Sequence, residues 1–78
     1  MSKNASSATS EAVAIVINGE RREMTPGDTV ETFLRGQGLD PDVVVVERNG
    51  GIVPRKAFAV TVLDPGDELE VVHFVGGG

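Results

Sequence analysis

Apolar residues fall into short runs divided by turn residues, with one stretch at helical spacing. Ala12-Val13-Ala14-Ile15-Val16-Ile17 is β-rich and stops at Asn18-Gly19, a dipeptide suited to a two-residue hairpin turn. Glu20 to Met24 reads as the returning strand, broken by Pro26-Gly27-Asp28. A helix is predicted to start at Asp28 or Thr29, because both residue types cap well and Asp28 with Glu31 has capping-box spacing. Val30, Phe33 and Leu34 then share one helical face. Gly36 weakens the last turn and Gly38 caps it, which predicts a short helix of about ten residues.

Asp40-Pro41 closes that segment. Val43-Val44-Val45-Val46 has no alternation, which predicts a strand covered on both faces, or a central one. Asn49-Gly50-Gly51 is a turn, and Ile52-Val53-Pro54-Arg55 opens an irregular stretch carrying Phe58. Val60-Thr61-Val62-Leu63 reads as a short edge strand and Asp64-Pro65-Gly66-Asp67 as a turn. Glu68 to Val75 is the final strand. The order is ββαβ, a short strand, then β. One helix against a mixed sheet makes a two-layer α+β domain. A hairpin followed by a crossover helix is the β-grasp, or ubiquitin-like, pattern, in which the last strand lies beside the first inside the sheet. The expected organisation is a disordered polar tail over 1–12, a β-grasp domain over 13–75, and a flexible glycine tail over 76–78.

Composition narrows the chemistry. The chain has 78 residues and no cysteine, which excludes disulfides, thiolate metal sites and a cysteine nucleophile. A cysteine-free chain fits a reducing compartment. The N-terminus lacks the apolar centre of a secretory signal, and no run approaches the ~20 apolar residues of a membrane helix; the expected location is the cytoplasm. The net charge is −5, from 12 acidic and 7 basic residues. Arg21-Arg22 and Arg55-Lys56 are short pairs rather than a phosphate-binding cluster, so nucleic acid is not an expected partner. A basic protein partner suits this charge better.

No side-chain constellation supports catalysis. The one histidine, His73, has no second base or nucleophile at a recognisable spacing, and the scattered carboxylates form no metal pattern. Glu68 and Glu70 read as a solvated face, and Asp64 and Asp67 as turn formers. Alternation along the last strand places Leu69, Val71, His73 and Val75 on one face and Glu68, Glu70, Val72 and Phe74 on the other. If Leu69 and Val71 face the helix, Val72 and Phe74 point outward. Two readings of that pair are open: a docking surface, or a twisted strand end with Phe74 at the core margin. Gly76-Gly77-Gly78 follows directly. A glycine triplet is narrow enough to enter a tight channel and present a carboxylate; it is equally a linker or a frayed end.

Asp64-Pro65-Gly66-Asp67-Glu68-Leu69-Glu70 followed by Val71-Val72-His73-Phe74-Val75-Gly76-Gly77-Gly78 resembles the end of the ThiS sulfur carriers of thiamin biosynthesis. Val46-Glu47-Arg48-Asn49-Gly50-Gly51-Ile52-Val53-Pro54-Arg55, with Phe58, is similar to that family's central strand and following loop. Ile17-Asn18-Gly19-Glu20 and Thr29-Val30 also fit, so the resemblance covers residues 13 to 78. The long N-terminal tail departs from it. The resemblance implies that a ThiF-like adenylyltransferase joins AMP from ATP to the Gly78 carboxylate. A persulfide donor then supplies sulfur to make a thiocarboxylate, and thiazole synthase (ThiG) receives it. Gly76 and Gly77 would form the rest of the tail, and Val72, His73, Phe74 and Val75 the partner-docking approach. The chain itself would be no enzyme. It would bind no cofactor or metal, contact neither nucleic acid nor membrane, and be a monomer when free. Two other readings stay open: the small subunit of molybdopterin synthase, and a ubiquitin-like protein modifier.

Overall fold

A computed structural model of the chain describes residues 12–73. Strand β1 (Val13–Ile17) turns through Asn18-Gly19 into β2 (Glu20–Met24). Both turn residues have positive φ, 52° and 81°, the geometry that matches the twist of a two-residue hairpin. Helix α1 (Val30–Gly36) follows, then β3 (Val44–Arg48), β4 (Gly51–Val53) and β5 (Glu68–His73). The five strands form one mixed sheet in the order β2-β1-β5-β3-β4. β5 is the middle strand, parallel to β1 and antiparallel to β3. This is the β-grasp arrangement expected from the hairpin and the single helix.

The core lies between α1 and one face of the sheet. Val30, Phe33 and Leu34, the predicted helix face, are all buried, beside Ile15, Ile17, Val44, Val46, Leu69 and Val71. Phe58 and Leu63 close it from the long connection before β5. Among the described residues no helix lies on the opposite face of the sheet.

Several local expectations are corrected. The helix spans seven residues rather than about ten, and its capping box is Thr29 with Thr32, not Asp28 with Glu31. The Thr32 N–H donates to Thr29 Oγ1 at 3.2 Å, and the Thr29 N–H donates to Thr32 Oγ1 at 2.8 Å. Asp28 instead accepts the N–H of Thr25 and the hydroxyl of Thr32, and Glu31 pairs with Arg35 one turn on. Gly38, at φ 79°, ends the helix. The Leu39 N–H reaches the Leu34 carbonyl and the Gly38 N–H the Arg35 carbonyl, the paired closure of a Schellman end.

The valine run is not covered on both faces. Val44 and Val46 are buried, whereas Val45 is 43% exposed. β3 is interior to the sheet, but only one of its faces meets the helix. Gly51–Val53, expected to be the end of a turn and the start of an irregular stretch, is an edge strand paired with β3. The expected edge strand at Val60–Leu63 is absent; only an isolated bridge joins Thr29 to Val62. There the N–H and hydroxyl of Thr61 and the N–H of Val60 all reach back to the Ala57 carbonyl. That curls the backbone and leaves Val60 and Val62 exposed. Residues 1–11 of the expected tail, and Phe74, Val75, Gly76, Gly77 and Gly78, lie outside the described residues.

Candidate functional site

The site is built on β5 because that strand runs through the middle of the sheet toward the glycine triplet. Leu69 and Val71 point into the core at 1% and 8% exposure, and Val72 points out at 61%. His73 is exposed and stands opposite Val44. The strand is held from both sides. Val44 to Arg48 pair antiparallel with His73 to Leu69 on one edge. On the other, the Val16 N–H donates to the Asp67 carbonyl and the Asn18 N–H to the Leu69 carbonyl.

The uncovered sheet face beside this strand is apolar at one end and acidic at the other. Val72 lies directly opposite Val45, and Ile52, 61% exposed, is on the same face of the neighbouring strand β4. A shallow depression of about 190 Å³ runs past Val45, Ile52 and Pro54. Glu47 and Glu70 are directly opposed across β3 and β5, and Glu68 follows on β5. Directly opposed like charges destabilise a sheet, so this pair works against the fold rather than for it. Strand alternation in the sequence points to Val72, whereas its partners Val45 and Ile52 emerge only in the fold. The alternation of β3 in phase with β5 was the signal: if Val44 and Val46 are core, Val45 faces out.

The start of β5 is fixed by a polar cluster built around Asp64 and Asp67, which do more than form the turn expected of them. Asp67 is 7% exposed. Its carboxylate accepts Arg48 Nε at 2.8 Å, Asn49 Nδ2 at 3.0 Å and the Asp64 N–H at 2.8 Å. Arg48 also reaches Asp64 at 3.0 Å. Burial pushes the Asp67 carboxyl up. The Asp64 N–H, the Asn49 amide and the Arg48 guanidinium outweigh it, so the group titrates below its ordinary value. Among the described residues no three His, Asp or Glu side chains converge as metal ligands. No described helix is long and apolar enough to cross a membrane.

The described residues define a β-grasp domain whose central strand precedes a glycine triplet in the sequence and lies beside an open apolar and acidic face. The sequence pattern of the ThiS family matches residues 15–78. The chain belongs to that family. It is 38% identical over 50 residues to the sulfur carrier protein ThiS of Bacillus subtilis, a match covering 64% of this chain and 76% of the relative. A thiazole synthase of Paramagnetospirillum magneticum is 47% identical over 64 residues, which are 82% of this chain but 20% of the synthase. The chain thus spans about a fifth of that relative's length. The crystal structure of the thiamine biosynthesis protein ThiS from Geobacter metallireducens superposes with a TM-score of 0.73 at 29% identity, covering 85% of this chain and 100% of that one.

Proposed function

We propose that this chain is a sulfur carrier of thiamin biosynthesis and that the Gly78 carboxylate is its reactive group. The observation that carries the reading is the placement of β5, which is paired on both edges and leads into the triplet of a ThiS-family chain. A carboxylate is inert to sulfur nucleophiles until its oxygen becomes a good leaving group. A Gly78 oxygen attacks the α-phosphorus of ATP on a ThiF-like adenylyltransferase; pyrophosphate leaves and an acyl adenylate forms. The terminal sulfur of a persulfide donor attacks the carbonyl carbon, and AMP leaves with the bonding pair. A thiol then cleaves the resulting acyl disulfide, freeing the thiocarboxylate and a disulfide. ATP is the partner's substrate, and the carrier contributes no catalytic side chain. Gly76 and Gly77 let the partner's walls approach the backbone.

The acceptor in this reading is thiazole synthase, ThiG. A match to a segment of longer chains named thiazole synthase supports that pairing. Val72 with Val45 and Ile52 forms the apolar centre of the docking face, flanked by Glu47, Glu68 and Glu70. The partner that fits is an apolar patch rimmed by Arg or Lys, which also relieves the Glu47–Glu70 opposition. His73, Phe74 and Val75 stand between this strand and the triplet in the sequence, and in this reading they contact the partner. The absence of cysteine suits a reducing cytoplasm.

Intact mass spectrometry tests the reading. Incubation with ATP, the cognate adenylyltransferase, a persulfide donor and a thiol replaces one oxygen of the chain by sulfur, and fragmentation locates it at Gly78. Sulfur on any other residue, or none at all, overturns it.

A further inference from the structure

The Asn18-Gly19 turn does more than reverse the chain. Asn18 Nδ2 donates to the Val71 carbonyl at 3.1 Å, and the Val71 N–H donates to Asn18 Oδ1 at 2.8 Å. The β1 edge of β5 is first paired by backbone, with the Val16 N–H on the Asp67 carbonyl and the Asn18 N–H on the Leu69 carbonyl. The next step along that ladder is the Val71 carbonyl. The backbone of β1 has already turned away at Asn18, whose φ is 52°, and the side-chain amide takes over its donor and acceptor. An amide is the one neutral side-chain group that offers both from adjacent atoms. Without it, the β1 edge of β5 loses its partner two residues before the end of the described strand.

The second Asn-Gly turn supplies a built-in comparison. Asn49, at φ 51°, also grips β5, but at its beginning: Oδ1 accepts the Glu68 N–H at 2.9 Å and Nδ2 donates to Asp67. The two asparagines therefore clamp one strand from opposite edges, Asn49 at its first residue and Asn18 two residues before its described end. Only the Asn18 clamp stands at the end from which the chain continues toward Gly76-Gly77-Gly78.

We propose that Asn18 is a positioning residue, whose two hydrogen bonds to Val71 fix the direction in which β5 delivers the chain end to the adenylating site. This rests on the carrier reading above. Asn18 touches no reacting atom. It narrows the set of directions the emerging segment takes once the sheet face is docked, so its loss lowers the fraction of productive complexes without weakening docking.

The test compares Asn18→Gly, Asn18→Asp and Asn49→Gly with the unaltered full chain. Glycine suits the positive φ at both turns, so the clamps are removed and the hairpins kept. Asp retains the acceptor for the Val71 N–H and loses the donor. Thermal unfolding is recorded for each chain, and thiocarboxylate formation is measured well below every Tm. The expected result for Asn18→Gly is a kcat lowered about tenfold or more, of the order a misaligned reacting group causes, with KM for the carrier unchanged within about twofold. Asn18→Asp falls between. Asn49→Gly loses stability but keeps kcat. Independently of activity, the Val71 amide exchanges with solvent faster in Asn18→Gly by about tenfold, the worth of one hydrogen bond. Equal kcat in Asn18→Gly and the unaltered chain, an equal fall in Asn49→Gly, a raised KM at unchanged kcat, or an unprotected Val71 amide in the unaltered chain would each overturn the proposal alone. An unaltered chain that is never converted overturns the carrier reading and this proposal with it.

Discussion

Two side chains three residues apart on β5 separate what holds this domain together from what it shows to others. Leu69 is 1% exposed and belongs to the buried apolar cluster, whereas Val72 is 61% exposed. Truncating a buried leucine removes transfer free energy and leaves a cavity, so Leu69→Ala is expected to lose about 2–5 kcal/mol in denaturant unfolding. A chain this small has little stability to spare. Val72→Ala is expected to change stability by no more than about 0.5 kcal/mol. In a binding titration it weakens association with the adenylyltransferase or with thiazole synthase, because it removes the centre of the proposed docking face. If Val72→Ala destabilises as Leu69→Ala does, with binding intact, the outer face is structural and the docking assignment fails. Val72 was legible from strand alternation alone. Phe74, given the same outward face by that alternation, lies outside the described residues, and Val72 carries the test.

At the scale of elements, the parts of the fold governed by local chemistry were legible. Asn18-Gly19 and Asn49-Gly50 demand positive φ and form turns, and Val30, Phe33 and Leu34 mark a helix face. What escaped was set by contacts distant in sequence. The valines of β3 look alike until the sheet buries one face, and Val60–Leu63 has strand composition but bends back onto Ala57. The Asp64–Asp67 turn is the clearest case. As a sequence it reads as a turn, but the fold brings Arg48 and Asn49 against Asp67 and ties the β3–β4 turn to the start of β5. That link has a pH signature. The folded-state Asp67 carboxyl titrates below its ordinary 3.8. Its stabilisation is therefore present above that value and lost as pH falls through the lower, folded one. Asp67→Asn is expected to lower stability at pH 7 by about 1–3 kcal/mol, since Arg48 and the Asp64 N–H lose their charged acceptor. It also flattens the acid limb. Urea midpoints from pH 7 downward check this; parallel curves for the two chains would mean that Asp67 contributes nothing specific to acid sensitivity.

For the molecule as a whole, stability and reactivity are assigned to different stretches of one short chain. Every buried apolar side chain among the described residues lies between Ile15 and Val71. The reactive carboxylate of the proposed mechanism comes seven residues after Val71 in the sequence. In the proposed mechanism the domain serves that end in three ways: a central strand paired on both edges, a side-chain clamp at Val71, and an outer face that selects the partner. A charge of −5, with carboxylates beside the apolar patch, favours encounter with a basic surface. Because a carrier-like segment is also matched within longer chains, the need for a free end at Gly78 has to be tested on this chain itself. Deleting Gly77-Gly78, or adding residues after Gly78, is expected to abolish thiocarboxylate formation. Tm and the denaturant midpoint should stay at those of the unaltered chain, because the buried apolar side chains among the described residues end at Val71. The extended chain should still bind the adenylyltransferase through the sheet face and act as a competitive inhibitor of the unaltered one. That inhibition separates docking from chemistry: a chain that docks but is not converted has lost only its reacting group. If the extended chain is converted, Gly78 is not the reacting group; if it neither docks nor inhibits, the sheet face is not where the partner is recognised.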